Sequence, residues 1–137
     1  MESAGRRRWK LVVVLAVVVA CYWAGMFVAT HVPIRTTPVG DRYSLDKIEH
    51  LTAFATLAAL LNALAAAIGL KSWNHSAAIV CFVAVYAMVD EATQVSPRQP
   101  EVLDWLADVI GATLGVFLYS LIARMRQATS AAQRPAD

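Results

Sequence analysis

Residues 11–30, LVVVLAVVVACYWAGMFVAT, run for twenty positions without a charged side chain. At a rise of about 1.5 Å per residue such a run reaches across a hydrocarbon core of about 30 Å, where only a helix or a closed barrel satisfies its own backbone. Its valines would suit a strand in water, but it lacks the alternation and the turn residues of one, so it predicts a transmembrane helix. The whole chain agrees, with 58% hydrophobic and 16% charged residues and a mean hydropathy of +0.53. Soluble proteins carry roughly 25% charged residues. The 137 residues therefore read as one all-α integral membrane domain whose first partner is the lipid bilayer. A net charge of +2 gives no reason to propose nucleic acid.

The remaining spans follow from breakers and apolar runs. Arg6, Arg7, Arg8 and Lys10 precede the first run, which is too long for a cleaved signal and reads as a retained signal anchor. Pro33, Pro38 and Gly40 mark a loop, with Ser44 a candidate N-cap for a helix starting near Asp46. The second span is expected at 47–70, and alanines between 53 and 67 would let a neighbouring helix approach closely. Asn62, the one strongly polar residue deep in that span, reads as an interhelical hydrogen-bond lock. A polar connection at 71–76 leads to a third span at 77–95. Pro97 and Pro100 then force a turn before a fourth span at 101–123. A basic stretch, 1–10, and a polar tail, 124–137, expected to be unstructured, flank this four-helix domain. Trp9, Tyr22 and Trp23 read as interfacial anchors or lipid contacts. Cys21 and Cys81, inside apolar runs, read as small hydrophobes rather than disulfide partners or metal ligands.

Against this apolar background the stretch 89–115 stands out for its carboxylates. A charge at the centre of a membrane helix costs roughly 2.5 to 3.5 kcal/mol on insertion scales, so Glu91, Asp104 and Asp108 need partners, water or a position near the surface. Their spacing puts them on shared faces: Glu91, Gln94 and Arg98 are three and four apart, and Asp104, Asp108, Gly111 and Gly115 repeat by four, three and four. Asp46, His50 and Phe54 form a similar stripe at steps of four. The distribution of lysine and arginine predicts both termini in the cytoplasm, with eight of the twelve on that side. Eight of the ten acids then fall at the opposite, outer end. Asp46, Lys47, His50, Glu91, Gln94, Arg98, Asp104 and Asp108 are thus expected at similar depth, as one polar pocket open to the extracytoplasmic side. Glu49, Asp90 and Glu101 lie off these faces or in the turn and take the purely structural reading, helix-end charges that do nothing else, and Gly111 and Gly115 read as packing positions.

The same residues resemble a family, the VanZ-like membrane proteins of bacteria. The likeness rests on Asp46-Lys47-x-x-His50 followed by Phe54 and Leu57, on Asp90-Glu91-x-x-Gln94, on Arg98, and on Asp104-x-x-x-Asp108-x-x-Gly111-x-x-x-Gly115. These elements occupy about half of the chain in the family's order. Here the turn after Gln94 is shorter than the family's usual one and lacks its Pro-Gly-Arg. The resemblance implies a multi-pass protein of the bacterial cytoplasmic membrane and, through the teicoplanin resistance for which the family is named, a setting in the cell envelope and antibiotic resistance.

Three readings of the pocket compete. It could bind an amphiphile, an envelope lipid or a lipophilic antibiotic of the glycopeptide type, with Lys47 and Arg98 holding an anionic head and the Ala-rich groove taking the tail. It could be the site of a membrane-embedded hydrolase or transferase with His50 or Glu91 as acid or base, although no nucleophile accompanies them. It could also be a salt-bridged clasp between helix ends. His50, Glu91, Asp104 and Asp108 could ligate a metal, but Lys47 and Arg98 would compete for the carboxylates, so neither metal nor cofactor is assigned. A proton or ion pathway is disfavoured because the cytoplasmic halves of the spans carry almost no ionisable residues.

Overall fold

A computed structural model describes residues 2–31, 42–93 and 102–133, with side chains described for 5–31, 45–93 and 102–133. Four helices, α1 (Glu2–His31), α2 (Arg42–Ile68), α3 (Trp73–Thr93) and α4 (Val102–Ala132), make up the described fold, and no strand occurs among these residues. Each is long and apolar enough to cross a membrane. The expected all-α, four-helix architecture is therefore the one found.

Cross-helix contacts give the arrangement. Arg8 of α1 lies by Ala67 of α2 and Tyr22 by Ala53, so these two helices run antiparallel. Ser76 of α3 meets Asn62 of α2, and His50 faces Glu91, so that pair is antiparallel too. Lys47, His50 and Asn62 pair with Asp104, Asp108 and Ser120 in order, so α2 and α4 lie parallel, side by side. This is the most extensive interface in the bundle.

Small residues make that interface possible. A Cβ at Gly111 would collide with the carbonyl of Leu51, and one at Gly115 with the carbonyl of Ala55. Glycines at these positions let the α4 backbone rest on the α2 backbone. Around the seam, Phe54, Leu57, Ala58, Val83, Ala87 and Ala112 form an almost fully buried core. Large apolar side chains such as Val14, Phe27, Val85, Phe117 and Ile122 point outward instead. An outer surface this greasy would aggregate in water and suits lipid.

Several local expectations need correction. Helix α2 is already under way at Arg42, so Ser44 does not cap it. Helix α3 starts at Trp73, so the connection after α2 is the short stretch 69–72, entered through Gly69 at φ 103°, a conformation that favours glycine. Residues 124–132 continue α4 rather than forming an unstructured tail. Ala, Arg, Met and Gln are good helix formers, and neither glycine nor proline intervenes there. Tyr22 and Trp23 are structural more than interfacial. The Tyr22 hydroxyl donates to the Ala53 carbonyl at 3.0 Å, and the Trp23 ring meets Tyr86 and Phe82 edge-on at 5.0 and 5.5 Å. Trp9 is exposed, as an anchor would be. Cys21 and Cys81 are unpaired and exposed. Asn62 links α2 to both neighbours, accepting from Ser76 at 3.1 Å and reaching Ser120 at 3.5 Å.

Candidate functional site

Six of the eight residues singled out for the pocket meet at one end of the bundle. Helical steps of three and four explain the convergence. Asp46, Lys47 and His50 share one side of the first turns of α2, and Asp104 and Asp108 share the matching side of parallel α4. Helix α3 arrives from the opposite direction and brings Glu91 to the same level. The Lys47 ammonium pairs with the Asp104 carboxylate. His50 Nδ1 lies 3.0 Å from Asp108 Oδ1 and 3.9 Å from Glu91 Oε1. Gln94 and Arg98 lie outside the described residues, as does Glu101.

Burial distinguishes this cluster from a solvated helix end. His50, Glu91, Asp104 and Asp108 are buried, and Asp108 retains only 1% of its exposure. Such groups survive burial because they are paired. The pairing is not complete. Asp108 Oδ2 is the one buried side-chain polar atom among the described residues without a hydrogen-bond partner. Leaving a buried acceptor unsatisfied costs about 1 to 3 kcal/mol. Beside the cluster, between α1 and α2, a partly open cavity of about 130 Å³ is walled by Thr30, Asp46, His50 and Phe54.

The donor set is acceptor-rich. Asp46, Glu91, Asp104 and Asp108 face one lysine and one histidine among the described residues. His50, Glu91 and Asp108 offer three ligand atoms within 4.8 Å of one another, and Asp46, His50 and Asp104 do the same. Either set has the atoms to surround a cation, with Lys47 already at Asp104 as the competitor foreseen from the sequence. The Lys47 pairing also bears on anion capture, since that ammonium is engaged by a carboxylate rather than presented to the cavity.

Asp90, expected to have a structural role only, is buried and retains only 3% of its exposure. Consecutive residues on a helix point about 100° apart, so Glu91 faces α2 while Asp90 faces α1. There it accepts from the Tyr86 hydroxyl at 3.2 Å, with the Thr30 hydroxyl at 3.3 Å and His31 Nδ1 at 3.8 Å. His31 in turn reaches the Thr93 hydroxyl at 3.0 Å. The available signal was the Thr30-His31 pair at the end of the first apolar run. Glu49 is exposed. A further tie is the Trp105 indole, which donates to the Ala84 carbonyl at 3.0 Å and holds α4 to α3.

Compared with known proteins, the chain matches the sequence model of the VanZ/LLP1 family over residues 11–123, which covers α2 and α3, most of α1 and α4, and every pocket residue. No curated protein and no solved structure matches it.

Proposed function

The chain belongs to the VanZ/LLP1 family of multi-pass membrane proteins, and we propose that it binds an amphiphile of the bacterial cell envelope at the polar end of its bundle. The ligand would be an envelope lipid or a lipophilic, glycopeptide-type antibiotic, taken from the extracytoplasmic side. The observation that carries this reading is the unsatisfied Asp108 oxygen in a buried acceptor cluster, two members of which, Asp46 and His50, also line a cavity between α1 and α2. The cavity is small, so it suits part of a polar head, with the ligand's apolar portion lying along the exposed helix faces. Four carboxylates, with Lys47 already engaged, favour a head that presents hydroxyl or ammonium donors over one that relies on its negative charge.

A second reading has its own observation. His50 Nδ1 held at 3.0 Å by a buried aspartate leaves Nε2 as the free nitrogen, the geometry in which an oriented imidazole acts as a general base. Hydrolysis or transfer on a lipid-linked substrate would use it, with Glu91 as the second acid-base group. The cluster's described residues include no serine, threonine or cysteine, so the nucleophile in this reading is water or a substrate hydroxyl.

One experiment addresses both readings. Purified native protein, His50→Ala and Glu91→Gln are compared by mass spectrometry of co-purifying lipids and of lipids recovered after incubation with envelope extract. Binding alone predicts a retained lipid that is lost in both variants and recovered chemically unchanged. A converted lipid that forms only with native protein, while Glu91→Gln still retains the starting lipid, selects the enzyme. If both variants retain the same lipids as native protein, the cluster is a clasp and the proposal fails.

A further inference from the structure

At the end of the bundle away from the carboxylates, a groove of about 770 Å³ opens between the end of α2, the start of α3 and the end of α4. That volume lies within the range of about 300 to 1,000 Å³ usual for small-molecule sites. Lys71, from the connection after α2, and Arg124 of α4 line it together with the apolar Leu15 and Phe117 and with Asn62, Ser76 and Ser120, which supply amide and hydroxyl groups. Asn62 lies about 9 Å along α2 from its end at Ile68, by the helical rise. Cations, hydrogen-bonding side chains and apolar surface in one groove offer partners to the phosphate, ester linkage and acyl chain of a glycerophospholipid.

Charge narrows the occupant. All six acids with described side chains, Asp46, Glu49, Asp90, Glu91, Asp104 and Asp108, lie at the other end. Neither Lys71 nor Arg124 is in an ion pair with a described residue. Arg8 adds a third cation close by, donating from Nε to the Ala67 carbonyl at 2.9 Å, and Ala67 itself lines the groove. That contact also places a positive charge on the exposed carbonyl end of α2, where the helix dipole favours one. Basic pockets between membrane helices are suited to acidic lipid head groups.

We propose that this groove is a binding site for an anionic glycerophospholipid of the leaflet facing the basic end, with Lys71 and Arg124 holding its phosphate. The site is separate from the carboxylate cluster and does not depend on the function proposed for it.

The test is a competition in defined lipid. Protein purified in detergent is exchanged with equimolar phosphatidylglycerol and phosphatidylethanolamine, and bound lipid is counted by native mass spectrometry. A cation near the head groups contributes about a fivefold preference, so native protein should favour phosphatidylglycerol at least fivefold. Lys71→Gln with Arg124→Gln should bring the ratio near one, and Lys71→Arg with Arg124→Lys should restore it. Arg126→Gln, a nearby cation that does not line the groove, should leave the preference in place. Equal binding of the two lipids by native protein overturns the proposal, as does an equal loss in the Arg126 variant, which would mark general surface charge. A dimer in place of bound lipid would assign the groove to a second copy and also overturn it. His50→Ala and Glu91→Gln keep the preference intact if the two ends act independently, so failure at one end is told apart from failure at the other.

Discussion

The closeness of α2 and α4 is the most exposed claim of the fold, and adding one methyl group tests it. At Gly111 a Cβ would lie 2.9 Å from the Leu51 carbonyl carbon and 3.0 Å from its Cα, with the carbonyl oxygen nearer still. At Gly115 the corresponding distances to Ala55 are 2.7 and 2.9 Å. Ordinary contact begins near 3.4 Å, and the obstructing atoms are backbone, so neither site relaxes by turning a side chain. The helices must part by at least half an ångström at Gly111 and by more at Gly115. A gap of about 0.5 to 1 Å forfeits a quarter to a half of each dispersion contact it opens, and overpacking of this kind costs about 1 to 3 kcal/mol. Replacing glycine by alanine returns up to about 1 kcal/mol of helix propensity. Gly111→Ala should therefore be less stable than Gly25→Ala, which regains the same propensity without the clash, by about 1 to 3 kcal/mol. Gly25 has nothing within 4 Å of an added Cβ, so Gly25→Ala should be neutral or slightly stabilising. Unfolding in mixed micelles of dodecyl maltoside and SDS measures the difference, with tryptophan fluorescence as the signal because Trp23 and Trp105 sit at helix contacts. Leu51 follows His50, and Gly111 lies three residues after Asp108, so the same displacement should stretch the 3.0 Å contact between those two side chains. Equal stability of Gly111→Ala and Gly25→Ala would refute the seam, and with it the account of how His50 and Asp108 are brought together.

Other parts of the structure make narrower predictions. Tyr22→Phe and Trp105→Phe each delete one hydrogen bond between helices and should cost about 1 kcal/mol apiece, additively, because they tie different helix pairs. The same unfolding assay checks both, and a coupling above about 0.5 kcal/mol would indicate that the two ties are not independent. A double-mutant cycle on Lys47→Met and Asp104→Asn should give a favourable coupling of about 1 kcal/mol, since the lysine is partly exposed and screening weakens the pair; a coupling of zero would mean the pair contributes nothing. Asp108→Asn keeps an acceptor for His50 and puts an amide where Oδ2 stands, so stability should hold within about 1 kcal/mol while lipid retention falls. Unchanged retention would remove Asp108 from the proposed site. Reporter fusions at the termini and near residue 40 should report opposite sides of the membrane, and a reporter near residue 40 on the cytoplasmic side would overturn the outward placement of the cluster.

The features legible in the sequence were those carried by periodicity. Steps of three and four placed Asp46, His50, Asp104 and Asp108 on facing stripes, and GxxxG spacing anticipated the contact of Gly111 and Gly115 with α2. Sequence could not say which neighbour each stripe would meet. That is why Asp90, one position from Glu91 and therefore a quarter-turn away, looked peripheral although it holds Thr30 and Tyr86 from within. Helix ends were misjudged for a related reason. The sequence marks where apolar residues stop, but alanine, arginine and glutamine sustain a helix well past that point, as α4 does to Ala132. Pairing between remote residues, such as Tyr22 with Ala53, leaves no local trace at all.

Asp90 supplies an internal standard for the neighbouring cluster. Both Asp90 and Asp108 are buried carboxylates near the same end of the bundle, and both contact a histidine, so membrane depth and helix position are nearly matched. Around Asp90 the chain provides two hydroxyls as well as His31, all at Oδ1, and Oδ2 of Asp90 is not among the fully buried atoms left without a partner. Around Asp108 the chain provides His50 on one oxygen and nothing described on the other. Leaving a buried acceptor unsatisfied costs about 1 to 3 kcal/mol, more than the roughly 0.5 to 1.5 kcal/mol a typical hydrogen bond contributes. A clasp would be more stable with that acceptor satisfied. The difference between the two aspartates therefore favours a role for Asp108 beyond holding the helices together.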